Sequence, residues 1–257
     1  MALFTPKKAT GTHFYKYQSA EHLDRLRPVI LEHRIYVPLA AQLNDPNDCR
    51  PKLRSLSEDE MISFLRTDYI NQNPVLALDL LQAHTARIRA DIQSKGLEWF
   101  NRELSRILNR NMEKFRVYSL SKRFDNLSLW AKYAADHTGY CLEFANEGPL
   151  FAEHTMEISY DDYAPFDVVN PEKRDARFLV HKRPEWSNEE EIRLIRARDS
   201  DPPETMIEPR WLTRIILGKG MKEEARKQIR EWAKIRQPEL VVAQARLDDF
   251  TQELRLD

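Results

Sequence analysis

The stretch Val117-Tyr-Ser-Leu-Ser-Lys-Arg-Phe-Asp-Asn-Leu-Ser-Leu-Trp-Ala-Lys-Tyr-Ala-Ala-Asp-His-Thr-Gly-Tyr-Cys-Leu-Glu-Phe144 decides the fold. Its first residues alternate. Val117, Ser119 and Ser121 face one way and Tyr118 and Leu120 the other, the period of a half-buried strand. Leu127, Trp130, Tyr133 and Ala134 then fall at helical spacing. Asp136 to Gly139 is a stop signal, and Tyr140 to Phe144 is a second apolar-rich strand. Two strands with a Trp- and Tyr-bearing helix between them make a β-core with one wall of a pocket.

Before this stretch, His13 to Tyr17 reads as a short aromatic strand. Ser19 caps a helix from Glu21 to Leu31, whose inner face is Leu23, Leu26, Ile30 and Leu31. Arg34 to Pro38 is a further strand, and Leu43 to Cys49 is a loop, since Asn and Asp before Pro46 favour turns. From Ser55 to about Asn111 the chain is helical. Ser57 and Glu60 form a capping box. Pro74 opens a second helix with Leu76, Leu78, Leu80 and Leu81. Leu97 to Leu108 is a third, with Trp99, Phe100, Leu104 and Ile107. No Gly/Ser-rich linker sets these helices apart. They read as an insertion at about 55–114 in a single α+β domain, 1–257, with a mixed or antiparallel sheet. Leu65, Leu78, Trp99 and Leu104 are expected to be buried in it. The strands around Tyr15 and Ser119 are expected in one sheet.

After the central stretch, Glu157 to Tyr160 reads as a strand, Pro171 to Val180 as a helix and Glu189 to Ile195 as a strand edge. Asp199 to Pro209 reads as a solvated loop. Trp211 to Leu217 is a strong strand, and Gly218-Lys-Gly220 turns into a helix from Lys222 to Ile235. Leu240 to Leu247 is the expected last strand.

Hydrophobic residues make up 42% of the chain, enough for a sizeable core. The net charge of -1 argues against a strongly basic nucleic-acid binder. With 40 Lys and Arg residues, a local basic groove stays open. Cys49 and Cys141 cannot build a disulfide framework and read as free thiols of a reducing compartment. Met1 to Thr10 has no apolar signal core, and no segment is long enough to span a bilayer. The expected location is the cytoplasm, with no membrane partner. The histidines lack zinc-site spacing, and there is no G-x-S-x-G motif. No metal is expected.

Several pieces together resemble the bacterial family catalogued as domain of unknown function 2971. They are Phe14-Tyr-Lys-Tyr17, Leu43-Asn-Asp-Pro46 with Asp48, Tyr118-Ser-Leu-Ser121, and Trp130-Ala-Lys-Tyr133 with His137 and Gly139. Lys182, Trp186, Glu189, Glu191, Arg193 and Ile215-Ile-Leu-Gly218 complete the set. Asn47 and Asn188 depart from the pattern, which favours aromatics there. The order of a basic and aromatic first strand, a Ser-x-Ser strand and a Glu-x-Glu strand also looks like the ADP-ribosyltransferase fold. That resemblance implies NAD as co-substrate. It implies that Lys16 or Tyr17, Ser119 and Ser121 hold it, and that Glu191, with Glu189 as partner, engages the nicotinamide ribose. Lys16 stands where many members have Arg or His. A bacterial toxin or phage-defence effector is the context the resemblance implies. The macromolecular acceptor, protein or nucleic acid, stays open, as does the oligomeric state.

Read as residues alone, each candidate has a plainer alternative. On a strand, Glu189 and Glu191 share one face; they should repel, and one pKa is expected to rise. The same acids, with Glu190, also suit a solvated edge. Ser119 and Ser121 suit a carboxamide or phosphate, or the wet face of an edge strand. Trp130 and Tyr133 suit stacking on nicotinamide or adenine, or core packing. Asn44, Asp45 and Asp48 with Glu189 and Glu191 would suit a metal-dependent nuclease; an Asx-turn around Pro46 is the simpler reading. Gly218-Lys-Gly220 lacks P-loop spacing and reads as a turn. A cleft that binds a ligand without turnover is the remaining alternative.

Overall fold

The computed structural model describes residues 6–45, 48–50, 53–73, 75, 77–111, 115–161, 167–169, 177–197 and 202–257. The expected turn at Pro46, the helix start at Pro74 with Leu76, and 171–176 of the expected helix from Pro171 to Val180 lie outside them. Arg177–Leu179 is a single 3-10 turn.

The chain is a mixed α/β protein built on a large mixed sheet. Its strands are β1 (His13–Gln18), β3 (Phe115–Ser121), β4 (Tyr140–Ala145), β5 (Thr155–Glu157), β6 (Glu191–Ala197), β8 (Leu212–Leu217), β9 (Val241–Leu247) and β10 (Leu254–Leu256). Their order is β10-β9-β8-β4-β1-β3-β6-β5. Among the described strands only β8 and β9 pair in parallel, joined through helix α7 (Glu223–Ile235), because a parallel pair needs a crossover rather than a hairpin. β2 (Arg34–Tyr36) and β7 (Glu204–Met206) form a small separate sheet. The expected loop from Asp199 therefore contains a strand, β7, and the expected last strand is followed by β10. β5 ends at Glu157, earlier than expected, since Ser159 only bridges to His181.

One face of the sheet presents Phe14, Tyr118, Leu120, Leu142, Phe144 and Ile192. Against it pack α7 and α1 (Leu23–Leu31), through Ile229, Leu26 and Ile30. The other face packs Tyr17, Cys141 and Ile216 under helix α5 (Leu127–Tyr133). After α5, Ala135, Asp136 and His137 all take positive φ, which turns the chain back into β4. A Cβ on Gly139 would meet the Gln18 carbonyl oxygen at 2.1 Å. Only Gly fits this approach.

Between β2 and β3 lie α2 (Glu58–Gln72), α3 (Leu78–Lys95) and α4 (Leu97–Asn111). They share a core of Leu56, Met61, Ile62, Ile88, Ile92 and Leu104. Leu65 is partly buried in it. Leu78 and Trp99 were expected inside and are exposed, 68% and 37%. Leu78 stands in the first turn of α3, well before Ile88, the first buried residue of that helix.

Candidate functional site

The sheet opens at one place. β1 pairs along its length with β4, from His13↔Ala145 to Gln18↔Tyr140. β3 pairs along its length with β6, from Phe115↔Ala197 to Ser121↔Glu191. β1 and β3 meet only at Tyr15↔Ser121. Beyond that pair the Lys16 Nζ fills the split, donating to the Ser119 carbonyl at 2.9 Å and lying 4.8 Å from the centre of the Tyr118 ring. Burial pushes the Lys16 ammonium down to about 8, against the pull of Glu191. A charge removed from water loses hydration that one carbonyl cannot replace.

A cleft of ≈ 220 Å³ lies at this split. β1 brings Tyr15, Lys16 and Tyr17 to it, and β3 brings Ser119 and Ser121. Tyr133, Lys182, Glu189, Glu191 and Asp48 close its walls. Trp130, the other aromatic candidate, is not among them. It is fully buried, its indole donates to the Phe124 carbonyl at 2.7 Å, and it packs edge-on to Tyr17 at 5.3 Å. Its place is the core. Tyr17 itself gives its hydroxyl to the Arg123 carbonyl at 2.7 Å, so it offers the cleft chiefly its ring.

Glu189 and Glu191 both reach the cleft, though not as neighbours on one strand. Pro184–Glu189 is a 3-10 helix. Glu190 then takes a left-handed conformation, φ 43° and ψ 49°, and β6 starts at Glu191. At Glu191 the expected rise in pKa is reversed. Lys182 stands between the two acids, 2.5 Å from Glu189 Oε2 and 3.0 Å from Glu191 Oε2. Burial alone would raise Glu191. The charge and hydrogen bonds of Arg193, with Lys182, outweigh it and hold the pKa at about 2. Glu189 Oε1 also accepts from the Tyr133 hydroxyl and from Lys132, each at 3.0 Å. Lys132 in turn lies 3.7 Å from the Trp186 ring centre.

Arg193 holds the acidic wall together. It is fully buried. Its Nε donates to Glu191 Oε1 at 2.8 Å and its Nη2 to Glu191 Oε2 at 3.1 Å. The same Nη2 reaches Asp48 Oδ2 at 2.6 Å, and Nη1 donates to the Leu179 carbonyl at 2.9 Å. Such a bidentate, charge-assisted pair is rigid and directional. With Lys16 protonated, the cations Lys16, Lys132, Lys182 and Arg193 outnumber Glu189, Glu191 and Asp48 by one. The site is therefore mildly suited to an anion.

Sequence reasoning gave Lys182, Arg193 and Asp48 no role in holding Glu191. A signal was present: Glu191 and Arg193 are two apart between the apolar Ile192 and Leu194, so a strand there places both charges on one face. Three carboxylates of the nuclease alternative, Asp48, Glu189 and Glu191, are already matched by cations. Asp48 meets Arg193, and Glu189 meets Lys132 and Lys182. No group of three candidate metal ligands occurs among the described residues. The Gly218 and Gly220 amides are spent on the Gly139 and His137 carbonyls, at 2.8 and 2.9 Å, so that segment is a turn rather than a phosphate cradle. No helix among the described residues is long and apolar enough to cross a membrane.

No family model, curated protein or solved structure matches the chain. The geometry of the cleft is the ground for a functional reading.

Proposed function

We propose that the protein is an ADP-ribosyltransferase-like enzyme using NAD, with the cleft at the β1–β3 split as its site, as the resemblance to the ADP-ribosyltransferase fold implies. One observation carries the reading. The three motif strands β1, β3 and β6 are neighbours and the 3-10 helix Pro184–Glu189 leads into β6, so Lys16, Tyr17, Ser119, Ser121, Glu189 and Glu191 line one cleft. The nicotinamide and its ribose lie between the Tyr17 and Tyr133 rings, with the ribose against Glu191. Lys16 carries the charge for the diphosphate. The bond from ribose C1′ to the pyridine nitrogen breaks, and its electron pair leaves with neutral nicotinamide. Glu191, ionised above about pH 2, stabilises the oxocarbenium-like centre. The acceptor atom bonds to C1′ and yields its proton to Glu189.

A second reading has its own support. Both Glu191 oxygens are already bonded by Arg193 and Lys182, which suits a cleft that binds a ligand without turnover.

The test is nicotinamide release from NAD by the parent and by Glu191→Gln, with cell extract as a source of acceptors. NAD binding is followed by calorimetry, and melts confirm that both proteins are folded. The expected result is release by the parent and a fall of about a hundredfold or more in the variant, with much less change in binding. Equal release by both removes Glu191 from the mechanism. Binding without release by either supports the second reading, and no NAD binding overturns the first and leaves a cleft for another ligand.

A further inference from the structure

A concave groove of ≈ 430 Å³ lies beside the cleft and shares Asp48 with it. Arg50 borders it from the turn after Cys49, and Arg102, Arg106 and Arg110 border it from α4. The α4 arginines recur every fourth residue. They rise about 6 Å per step, and Trp99 extends the same stripe: all four lie within an arc of about 80° at 100° per residue. Trp99 is 37% exposed. Arg102 and Arg106 pair with Glu98 and Glu103 of their own helix, contacts that water and salt screen. Arg50 and Arg110 have no carboxylate partner among the described residues. The Asn109 Oδ1 in the groove is buried and accepts no hydrogen bond.

We infer that this groove binds single-stranded nucleic acid and presents it to the cleft as the acceptor of the ADP-ribosyl group. Guanidinium groups at regular steps along α4, with surplus charge from Arg50 and Arg110, fit a phosphate backbone, and the planar fork of Arg matches phosphate oxygens. An exposed indole at the end of the stripe is a platform for a base. An acidic peptide would use the charge and leave the indole idle. The overall charge of -1 hides the patch because acids elsewhere balance it. Asp48 makes the junction: it lines groove and cleft, and Arg193 ties it to Glu191. A strand in the groove reaches the site with a nucleophilic atom of a base or terminal phosphate. That atom bonds to C1′ as the bond to nicotinamide breaks; a proton on a base nitrogen passes to Glu189, and a phosphate oxygen, already ionised, has none to give. The acceptor role rests on the reading of the cleft given above; the binding of the strand does not.

The experiment measures fluorescence anisotropy of labelled oligo(dT) and oligo(U) with the full chain, without NAD, across a salt series. Binding is expected with a log–log salt slope of about −2 to −3, as three or four phosphate contacts give on single strands. Arg106→Ala with Arg110→Ala should weaken binding tenfold or more and flatten the slope towards about −1. Trp99→Leu should weaken it about fivefold or more with the slope kept. Melts of each variant show that the fold is intact. Absence of salt-dependent binding, equal binding by the double variant, or tighter binding of poly-glutamate overturns the groove assignment. If oligonucleotide binds as expected and NAD is not cleaved, the groove assignment stands and the reading of the cleft falls.

Discussion

The cleft and the groove meet at Asp48 and are both charged, but they treat charge in opposite ways. In the cleft each carboxylate has a cation within hydrogen-bond distance, and Arg193 is out of contact with water. In the groove Arg50 and Arg110 stand unmatched among the described residues. The difference comes from solvent. An uncompensated buried ion costs several kcal/mol, so folding demands that Arg193, Glu191 and Asp48 be paired, whatever the site does. An exposed arginine is hydrated and stands alone at almost no cost. Matched charges in the cleft thus speak first of stability, whereas surplus charge in the groove speaks of a ligand.

The sharpest way to break this contrast is Arg193→Met. It leaves Asp48 unpaired and Glu191 with Lys182 alone. We expect a loss of about 3–5 kcal/mol in urea unfolding. A loss under about 1 kcal/mol would mean that water reaches the network and the cleft is no different from the groove.

Leu104→Ala acts on the scaffold of the groove. Leu104 is 9% exposed and belongs to the core that α4 shares with α2 and α3. The expected cost is about 2–5 kcal/mol in a thermal or chemical melt, with NAD affinity kept. A melt identical to the parent's would make α4 a loose arm, unable to hold arginines in register.

Much of this was legible in the sequence, for local reasons. Alternation over Val117 to Ser121 marked β3, and the Ser57–Glu60 capping box marked the start of α2, where both hydrogen bonds form. The elements that misled were those where tertiary contacts decide. Glu204–Met206 is short and polar, and it is a strand because β2 lies beside it. Glu189 was read as a strand residue because no local pattern signals the left-handed Glu190. Trp130 and Tyr133 share a helical face, yet only the tertiary fold sends one to the core and the other to the cleft. The groove was hidden for the same reason, since Arg50 and α4 are brought together only by folding.

Acid sharpens the comparison, because the cleft holds a carboxylate far below its ordinary pKa; Glu60, beside Arg54, and Glu157, beside Lys122 and Lys7, are held low as well and are common to parent and variant. Glu191 sits at about 2, against 4.5 for a free Glu. The depressed value means full stabilisation above about pH 4.5 and loss as pH falls from there towards 2. The contribution is up to about 3 kcal/mol, read as the pH dependence of unfolding free energy in that window. Glu191→Gln should show a shallower slope there. An unchanged slope would place the acid sensitivity elsewhere.

Base probes the one cleft cation without a carboxylate of its own. Lys16 is charged below about 8 and neutral above it. NAD affinity should therefore fall as pH rises from about 7 to 9, by up to roughly tenfold, or 1.4 kcal/mol. Lys16→Met should bind NAD more weakly and without this dependence. A parent profile as flat as the variant's would take the diphosphate away from Lys16.

The smallest expected effect tests the groove's side of the contrast. Arg106→Ala with Arg110→Ala removes two exposed guanidinium groups from α4. Arg106 loses its pair with Glu103, worth roughly 0.3–0.5 kcal/mol on a solvated helix face. Arg110 loses nothing that the described residues supply. Ala is the better helix former by a few tenths of a kcal/mol, which offsets the lost pair. Net stability should stay within about 0.5 kcal/mol of the parent, measured by urea unfolding at moderate salt. A cost above about 2 kcal/mol would show that these arginines hold the fold together as Arg193 does. The surplus charge of the groove would then be structural, and any loss of oligonucleotide binding in the double variant would follow from unfolding.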